Sequence, residues 1–227
     1  MALGPCGTLF IGSGVGLLML DQDGNEVWDH NGQGLTPAVV PKGESFYGAA
    51  GGQLFAVDPN GATVWTFIAG GETSSSGWIQ PAPALGADGT LYYGATSALY
   101  AIASDGTERW SHPWGTVSHA GSLASVALGK DGTVYVAAPD STLSAFGPDG
   151  STKWSLSLPA VGETPPIIDG DGVIFALGGS TLYAVLPEGT IEWTLIVNNS
   201  GEGALALGAD GTLYLASAGV YAIGNAP

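Results

Sequence analysis

Apolar residues along this chain alternate with small or polar ones over short stretches, and clusters of Gly, Asp, Asn and Ser interrupt every stretch. Alternation with a period of two is the pattern of a strand with one face buried. No stretch of useful length carries a helical period. Leu91–Gly94 predicts one strand and Leu99–Ile102 the next. An apolar segment precedes such pairs, as at Pro37–Val40, Ala82–Leu85 and Pro165–Ile168, and predicts a further strand.

The strands recur in a fixed frame. Five segments run an alternating apolar stretch into a turn that ends in Gly, with a Trp four residues later: LLMLDQDGNEVW (17–28), LFAVDPNGATVW (54–65), LYAIASDGTERW (99–110), LSAFGPDGSTKW (143–154) and LYAVLPEGTIEW (182–193). Their tryptophans, Trp28, Trp65, Trp110, Trp154 and Trp193, are 37, 45, 44 and 39 residues apart. A second frame, of the type DGTLYYGA, places Gly7, Gly43, Gly89, Gly132, Gly172 and Gly211 at equivalent positions. The repeat therefore has a period of 36 to 46 residues and six copies, each reading as four short antiparallel strands. Four-stranded units at this period predict an all-β fold, a β-propeller of six blades in one domain. The blades span approximately 1–32, 33–70, 71–114, 115–157, 158–197 and 198–227.

The first and last copies depart from the frame. Residues 1–3 align as the first strand of the first blade (ALGPCGTLF beside ALGADGTLY). The sixth copy reaches Val220–Pro227 where its Trp strand is due, so the last blade is expected to have three strands and an open outer edge. Open edges pair with other chains. Either the chain is a fragment of a longer propeller or that edge is used.

Composition narrows the function. There are 20 Asp and Glu against 4 Lys and Arg, a formal net charge of −16. Nucleic acid is excluded as a partner on ordinary terms, because cations that neutralise phosphates are nearly absent. Docking onto an anionic membrane fails for the same reason. No apolar run approaches the ~20 residues of a membrane-spanning helix, so no membrane insertion is expected. With 45% hydrophobic residues, 38 Gly and 14 Pro, the chain is folded and turn-rich. A single cysteine, Cys6, leaves no intramolecular disulfide and no cysteine-based zinc cluster. Asp21-Gln-Asp23-Gly-Asn25-Glu26 spaces its oxygens alternately, but it has neither the Gly at position six nor the Glu at position twelve of a calcium loop. The Asp-Gly pairs are read as hairpin turns that exploit tolerance of positive φ.

The Trp frame resembles the tryptophan-docking motif of the PQQ-like (quinoprotein-like) propeller repeats, roughly Ala-x-Asp, a Gly turn and a Trp. Ala56-x-Asp58, Gly61 and Trp65 match it best, and Ala101, Ala145 and Ala184 precede Trp110, Trp154 and Trp193 by nine residues. The Asp position is kept at Asp21 and Asp58 but reads Ala103, Gly147 and Leu186 elsewhere. The turn is also one residue shorter than in the quinoprotein dehydrogenases. Those enzymes, the resemblance implies, would need adjacent cysteines against the quinone, a calcium ion and cations for its carboxylates. This chain has one cysteine, and Lys42, Arg109, Lys130 and Lys153 all fall on turns or Trp strands. No catalytic residue, metal or cofactor is assigned. The resemblance points instead to the non-enzymatic branch of the family, some of whose members scaffold outer-membrane barrel assembly, and implies export to a bacterial periplasm or exterior.

A binding site, if present, belongs on the blade end opposite the repetitive Asp-Gly turns. Loops of unequal, non-repeating sequence fall there, and such loops on a regular scaffold carry binding. They hold His30, Glu72, Trp78, His112, Trp114 and His119. Gln80, Glu163 and Glu202 each lie nine residues before a frame glycine, which places them at the entry to the innermost strands and around the mouth of a central channel. The expected partner is a protein, held by the loop face or the open edge, or a second copy through the last blade's edge. The alternatives are a sensor for a small ligand or carbohydrate, built from the aromatic and acidic loop residues, and a degenerate quinoprotein fragment.

Overall fold

The computed structural model describes residues 2–3, 7–13, 16–31, 45–50, 53–71, 82–95, 97–114, 124–159, 161, 164–197, 203–217 and 219–224. The chain divides into two compact units, Met1–Pro113 and Trp114–Pro227. Apart from one short 3-10 turn at Ala69–Gly71, the regular structure described is all strand.

In the first unit, β1 (Ala2–Leu3), β2 (Leu9–Ser13), β3 (Gly16–Leu20) and β4 (Glu26–Asn31) form one sheet. A second sheet contains β5 (Phe46–Ala50), β6 (Gln53–Val57) and β7 (Thr63–Ile68). The third is β8 (Ala84–Leu85), β9 (Leu91–Gly94), β10 (Ala98–Ile102) and β11 (Glu108–Pro113).

The second unit repeats the plan. Its sheets are β12 (Ser125–Leu128), β13 (Val134–Ala138), β14 (Thr142–Phe146) and β15 (Thr152–Ser157), then β16 (Ile167–Ile168), β17 (Ile174–Gly178), β18 (Thr181–Val185) and β19 (Ile191–Ile196). The last contains β20 (Ala204–Leu207), β21 (Leu213–Ala216) and β22 (Val220–Ile223), three strands among the described residues. Every sheet is an antiparallel meander in chain order. Predicted strands at 91–94 and 99–102 are β9 and the body of β10, and residues 2–3 pair with β2 as the alignment required. The predicted strand at 37–40 lies outside the described residues.

Alternation within the strands sorts residues onto the two faces of each sheet, and neighbouring sheets pack those faces together. Tyr47, Ala49, Leu54 and Ala56 of the second sheet meet Leu91, Tyr93, Tyr100 and Ile102 of the third. Tyr135, Ala137, Leu143 and Ala145 of the fourth meet Ile174, Ala176, Tyr183 and Val185 of the fifth. Phe175, Leu177, Leu182 and Ala184 meet Leu213, Leu215, Tyr221 and Ile223 of the last. Inner strands are buried on both faces, which explains why β13 and β17 read as continuous apolar runs. The short strands β12, β16 and β20 lie side by side at one end of this stack.

Candidate functional site

The repeat residues build joints between sheets. Each Trp pairs across its hairpin with the residue that precedes the turn, Ala56 with Trp65, Ala101 with Trp110, Ala145 with Trp154 and Ala184 with Trp193. Alanine leaves room for the indole to lie over the neighbouring strand. A register shift follows directly in each of these hairpins, and such bulges twist and re-aim a strand. The ring also leans on an aromatic two strands away, with centroids 5.6 Å apart for Tyr47–Trp65 and 5.9 Å for Tyr135–Trp154 and Phe175–Trp193. Its far side faces the next sheet. The indole N–H of Trp28 donates to the Pro59 carbonyl at 2.9 Å, that of Trp65 to Ser104 at 2.9 Å and that of Trp154 to Pro187 at 2.7 Å. The turn glycine two residues beyond each acceptor lies under the ring. A Cβ on Gly61, Gly106 or Gly189 would stand 2.8, 2.8 or 2.6 Å from it. Trp28, Trp65 and Trp154 thus each tie their own sheet to a turn of the next.

The Asp-Gly turns carry their carboxylates in a way the sequence reading did not foresee. Positive φ belongs to the Gly alone, and Ser141 is the one non-glycine with positive φ among the described residues. The Asp instead caps backbone amides. Asp58 Oδ1 accepts from the amides of Asn60 and Ala62 at 2.9 and 2.8 Å. Where that position is Ala103 or Gly147, an Asp two residues on takes over. Asp105 accepts from the Thr107 amide and hydroxyl at 3.0 and 2.7 Å, and Asp149 from those of Ser151 at 3.1 and 2.6 Å. Asp88 and Asp131 do the same in the turns between first and second strands, with Thr90 and Thr133. The Asp21 segment, weighed above as a calcium loop, is such a turn: Asp21 Oδ1 accepts from the amides of Asp23 and Asn25.

These bonds hold the carboxyls below the ordinary aspartate value. The Thr90 hydroxyl is the main cause at Asp88, the Thr133 hydroxyl at Asp131, the Thr107 hydroxyl at Asp105 and the Ser151 hydroxyl at Asp149. The cations are spent nearby. Arg109 pairs with Asp88 at 2.8 Å and Lys153 with Asp131 at 3.4 Å, while Lys130 Nζ donates to the Gly170 carbonyl at 2.9 Å. At this turn end of the second unit a cleft of about 220 Å³ opens between Lys130, Asp131 and Tyr135 on one side and Asp169, Asp171 and Pro187 on the other. Asp169 already caps the amides of Asp171 and Val173 at 2.9 Å each.

The opposite end is described in part. Glu72, Trp78, Gln80, His119, Glu163 and Glu202 lie outside the described residues. His112 and Trp114 are half-buried. His30 and His112 correct the loop assignment: both belong to outer strands, β4 and β11, because Leu17 pairs with His30 and Leu99 with His112. Pairing outlasts the sequence signal there, since the polar character of these strand ends reads as loop. The segments that lead into β16 and β20 are joined, as the Thr164 hydroxyl donates to the Gly203 carbonyl at 3.2 Å and Thr164 is 1% exposed.

The outer strands also carry a feature that the residue frame did not single out. Val27, Val64, Ile68, Ile191, Leu195 and Ile196 are exposed on β4, β7 and β19, Ile196 at 83%. On β7 the exposed Val64 and Ile68 alternate with the half-buried Trp65 and Phe67, whereas on β19 Leu195 and Ile196 are adjacent and therefore exposed on both faces.

The sequence profile of the PQQ-like family described as "Outer membrane protein assembly factor BamB" matches residues 13–226. The crystal structure of BamB from Moraxella catarrhalis covers 97% of this chain and 83% of its own, with a TM-score of 0.62 and 19% identity. A protein of unknown function from Bacteroides caccae covers 92% of this chain and 81% of its own, with a TM-score of 0.60 and 14% identity. At these identities the likeness is one of fold, the β-propeller. Among curated proteins, the serine/threonine-protein kinase AfsK of Streptomyces griseus is 38% identical over 81 residues, 35% of this chain and 10% of the kinase. The match thus spans about a tenth of that relative's length.

Proposed function

This chain belongs to the PQQ-like propeller family described as outer membrane protein assembly factor BamB, and from that premise we propose that it is a non-catalytic scaffold that holds a protein partner on its loop end or on an open blade edge. The observation that carries the reading is the apolar edge of the fifth sheet, where Ile191, Leu195 and Ile196 are 41, 39 and 83% exposed on strand β19. An exposed apolar edge strand is a template for an added strand of another chain, with main-chain hydrogen bonds supplying affinity and alternate side chains specificity. The spent state of the turn carboxylates and of three cations supports the same reading, because these groups hold turns and sheets together rather than converge on one point.

Site-specific photo-crosslinking tests it. A photoreactive side chain at position 196 is expected to trap a discrete protein partner, while the same group at position 149, on the turn end, traps none. Ile196→Asp combined with Leu195→Asp should abolish capture by probes placed elsewhere on β19. Equal labelling from both positions, or capture indifferent to the two aspartates, would remove the edge as the site.

A further inference from the structure

One turn differs from its repeats in the chemistry of a single side chain. Just before the turn glycine the five Trp-frame copies read Asp23, Asn60, Asp105, Asp149 and Glu188. Asn60-Gly61 is one of two Asn-Gly steps in the sequence, and it lies wholly within the described residues. Asn60 is exposed. An asparagine followed by glycine is the one that cyclises most readily, because no Cβ on the next residue crowds the attack of its nitrogen on the side-chain amide.

The same turn is a joint. On one side of Asn60 the Pro59 carbonyl accepts the Trp28 indole N–H at 2.9 Å, and on the other Gly61, with a φ of 82°, lies under the ring. Asn60 therefore sits between the two points at which the first sheet grips the second. Asp58 restrains the turn. Its Oδ1 accepts from the backbone amides of Asn60 and Ala62 at 2.9 and 2.8 Å, and its carbonyl from the Gly61 amide at 3.0 Å. The Asn60 side-chain amide donates more loosely to Asp58 Oδ2, at 3.4 Å. One residue thus engages both the nitrogen that would attack and the amine that would leave. The other turns are less exposed to this chemistry. Asn25 donates to both carboxylate oxygens of Asp21, at 3.4 and 3.0 Å, and is followed by Glu26, whose side chain crowds the attack. At Asp105 and Asp149 hydroxyl and amide donors keep the carboxyl ionised, and the carbon of a carboxylate is a poor electrophile.

We infer that Asn60-Gly61 is a self-modification site, where the chain deamidates at a rate restrained by Asp58 and the rearranged product loosens the Trp28 joint. The Gly61 nitrogen gives its proton to solvent base and attacks Asn60 Cγ. The N–Cγ bond forms, the Cγ–Nδ2 bond breaks, and the amide nitrogen takes up a proton and leaves as ammonia. Water then opens the cyclic imide at one of its two carbonyl carbons, so that in sum water replaces ammonia and nothing is oxidised or reduced. Opening at Cγ leaves an aspartate at position 60. That product reproduces the first copy's turn, where Asp23 donates its amide to Asp21 at 2.9 Å, and should be structurally silent. Opening at the main-chain carbonyl leaves isoaspartate, with one more methylene in the backbone between the Pro59 carbonyl and Gly61, the two groups that seat the indole.

Timed ageing of the full chain, read by peptide mass mapping, is the test. In mildly alkaline buffer the peptide that holds Asn60 should gain the mass of an OH in place of an NH2, faster than in mildly acidic buffer, and an isoaspartyl methyltransferase should label it. Asp58→Ala, checked for folding by near-UV circular dichroism, should speed the change by about two- to tenfold, the worth of one net hydrogen bond. Wild type unfolded in guanidinium gives the unrestrained rate and reads the same restraint without a substitution. Asn60→Asp should melt at the wild-type urea concentration. The isoaspartate form, purified by ion exchange and carrying the same added charge, should melt lower. An Asn60 that stays intact on ageing, or that changes no more slowly in the folded chain than in guanidinium, overturns the inference. So does an isoaspartate form as stable as Asn60→Asp.

Discussion

At the scale of single residues, the joint between sheets depends on a glycine as well as on the tryptophan that lies over it. Gly189 has a φ of 89°, and an added Cβ would meet the Trp154 ring at 2.6 Å. Gly24 has a φ of 82° but nothing within 4 Å. Gly24→Ala is expected to cost only about 1 kcal/mol, the penalty of a left-handed L-residue. Gly189→Ala adds a displaced indole and a weakened bond to the Pro187 carbonyl, so its cost should exceed that of Gly24→Ala by about 1–3 kcal/mol. Urea melts of the two variants make the comparison, and equal losses would show that the ring yields freely. Ser141, with a φ of 64°, is a second test. Ser141→Val should destabilise by at least about 1 kcal/mol, whereas Ser141→Gly should be neutral or slightly stabilising, because relief of strain offsets added freedom in the unfolded chain. The equivalent placement of the tryptophans in their hairpins was legible from spacing alone. Their acceptors were not, because Pro59, Ser104 and Pro187 share a position but no side-chain chemistry, and it is the backbone that accepts.

Among elements, the turns set the response to acid. Asp88, Asp105, Asp131, Asp149 and Asp210 have pKa values below the ordinary 3.8, lowered by hydroxyl and amide donors. A carboxyl depressed in the folded state contributes stability that is present above 3.8 and is lost as pH falls through its lower folded value. Melting temperature should therefore hold through mild acid and drop only below about pH 4. Relief of self-repulsion near the isoelectric point, about 4.1, delays the fall further. Replacing the hydroxyl donors, as in Thr90→Val with Thr133→Val, should lower stability at neutral pH and shrink the acid drop. An unchanged acid limb would mean the caps contribute nothing.

The strands of these elements were readable because alternation and Asp-Gly turns repeat, and β9 coincides with its predicted span. The relocated cap was not readable. A residue-by-residue match to the family motif registers Ala103 and Gly147 as losses, while the carboxylate has moved along the same turn to Asp105 and Asp149. The loop end resisted for a different reason. Its residues do not repeat, so no copy calibrates another, and polar strand ends such as His112 on β11 look like loop until the pairing with Leu99 is seen.

For the whole molecule, charge is the dominant long-range quantity. A net charge of −16 is set against surface pairs at Arg109–Asp88 and Lys153–Asp131 whose side chains are about half exposed. Such pairs contribute about 0–1 kcal/mol each. Salt should therefore raise the melting temperature by screening repulsion. A fall with salt would show that the pairs outweigh it.

The indole joint has a final consequence. By sequence three of the tryptophans each belong to one repeat, yet by contact they serve the next: Trp28 the turn at Gly61, Trp65 the turn at Gly106, Trp154 the turn at Gly189. The unit that a duplication copies is thus offset from the unit that holds together. A repeat inserted anywhere in the array arrives with its own connector at one end and a ready socket at the other. Lineages can lengthen or shorten such an array by whole modules without inventing a new seam, and a designer can do the same.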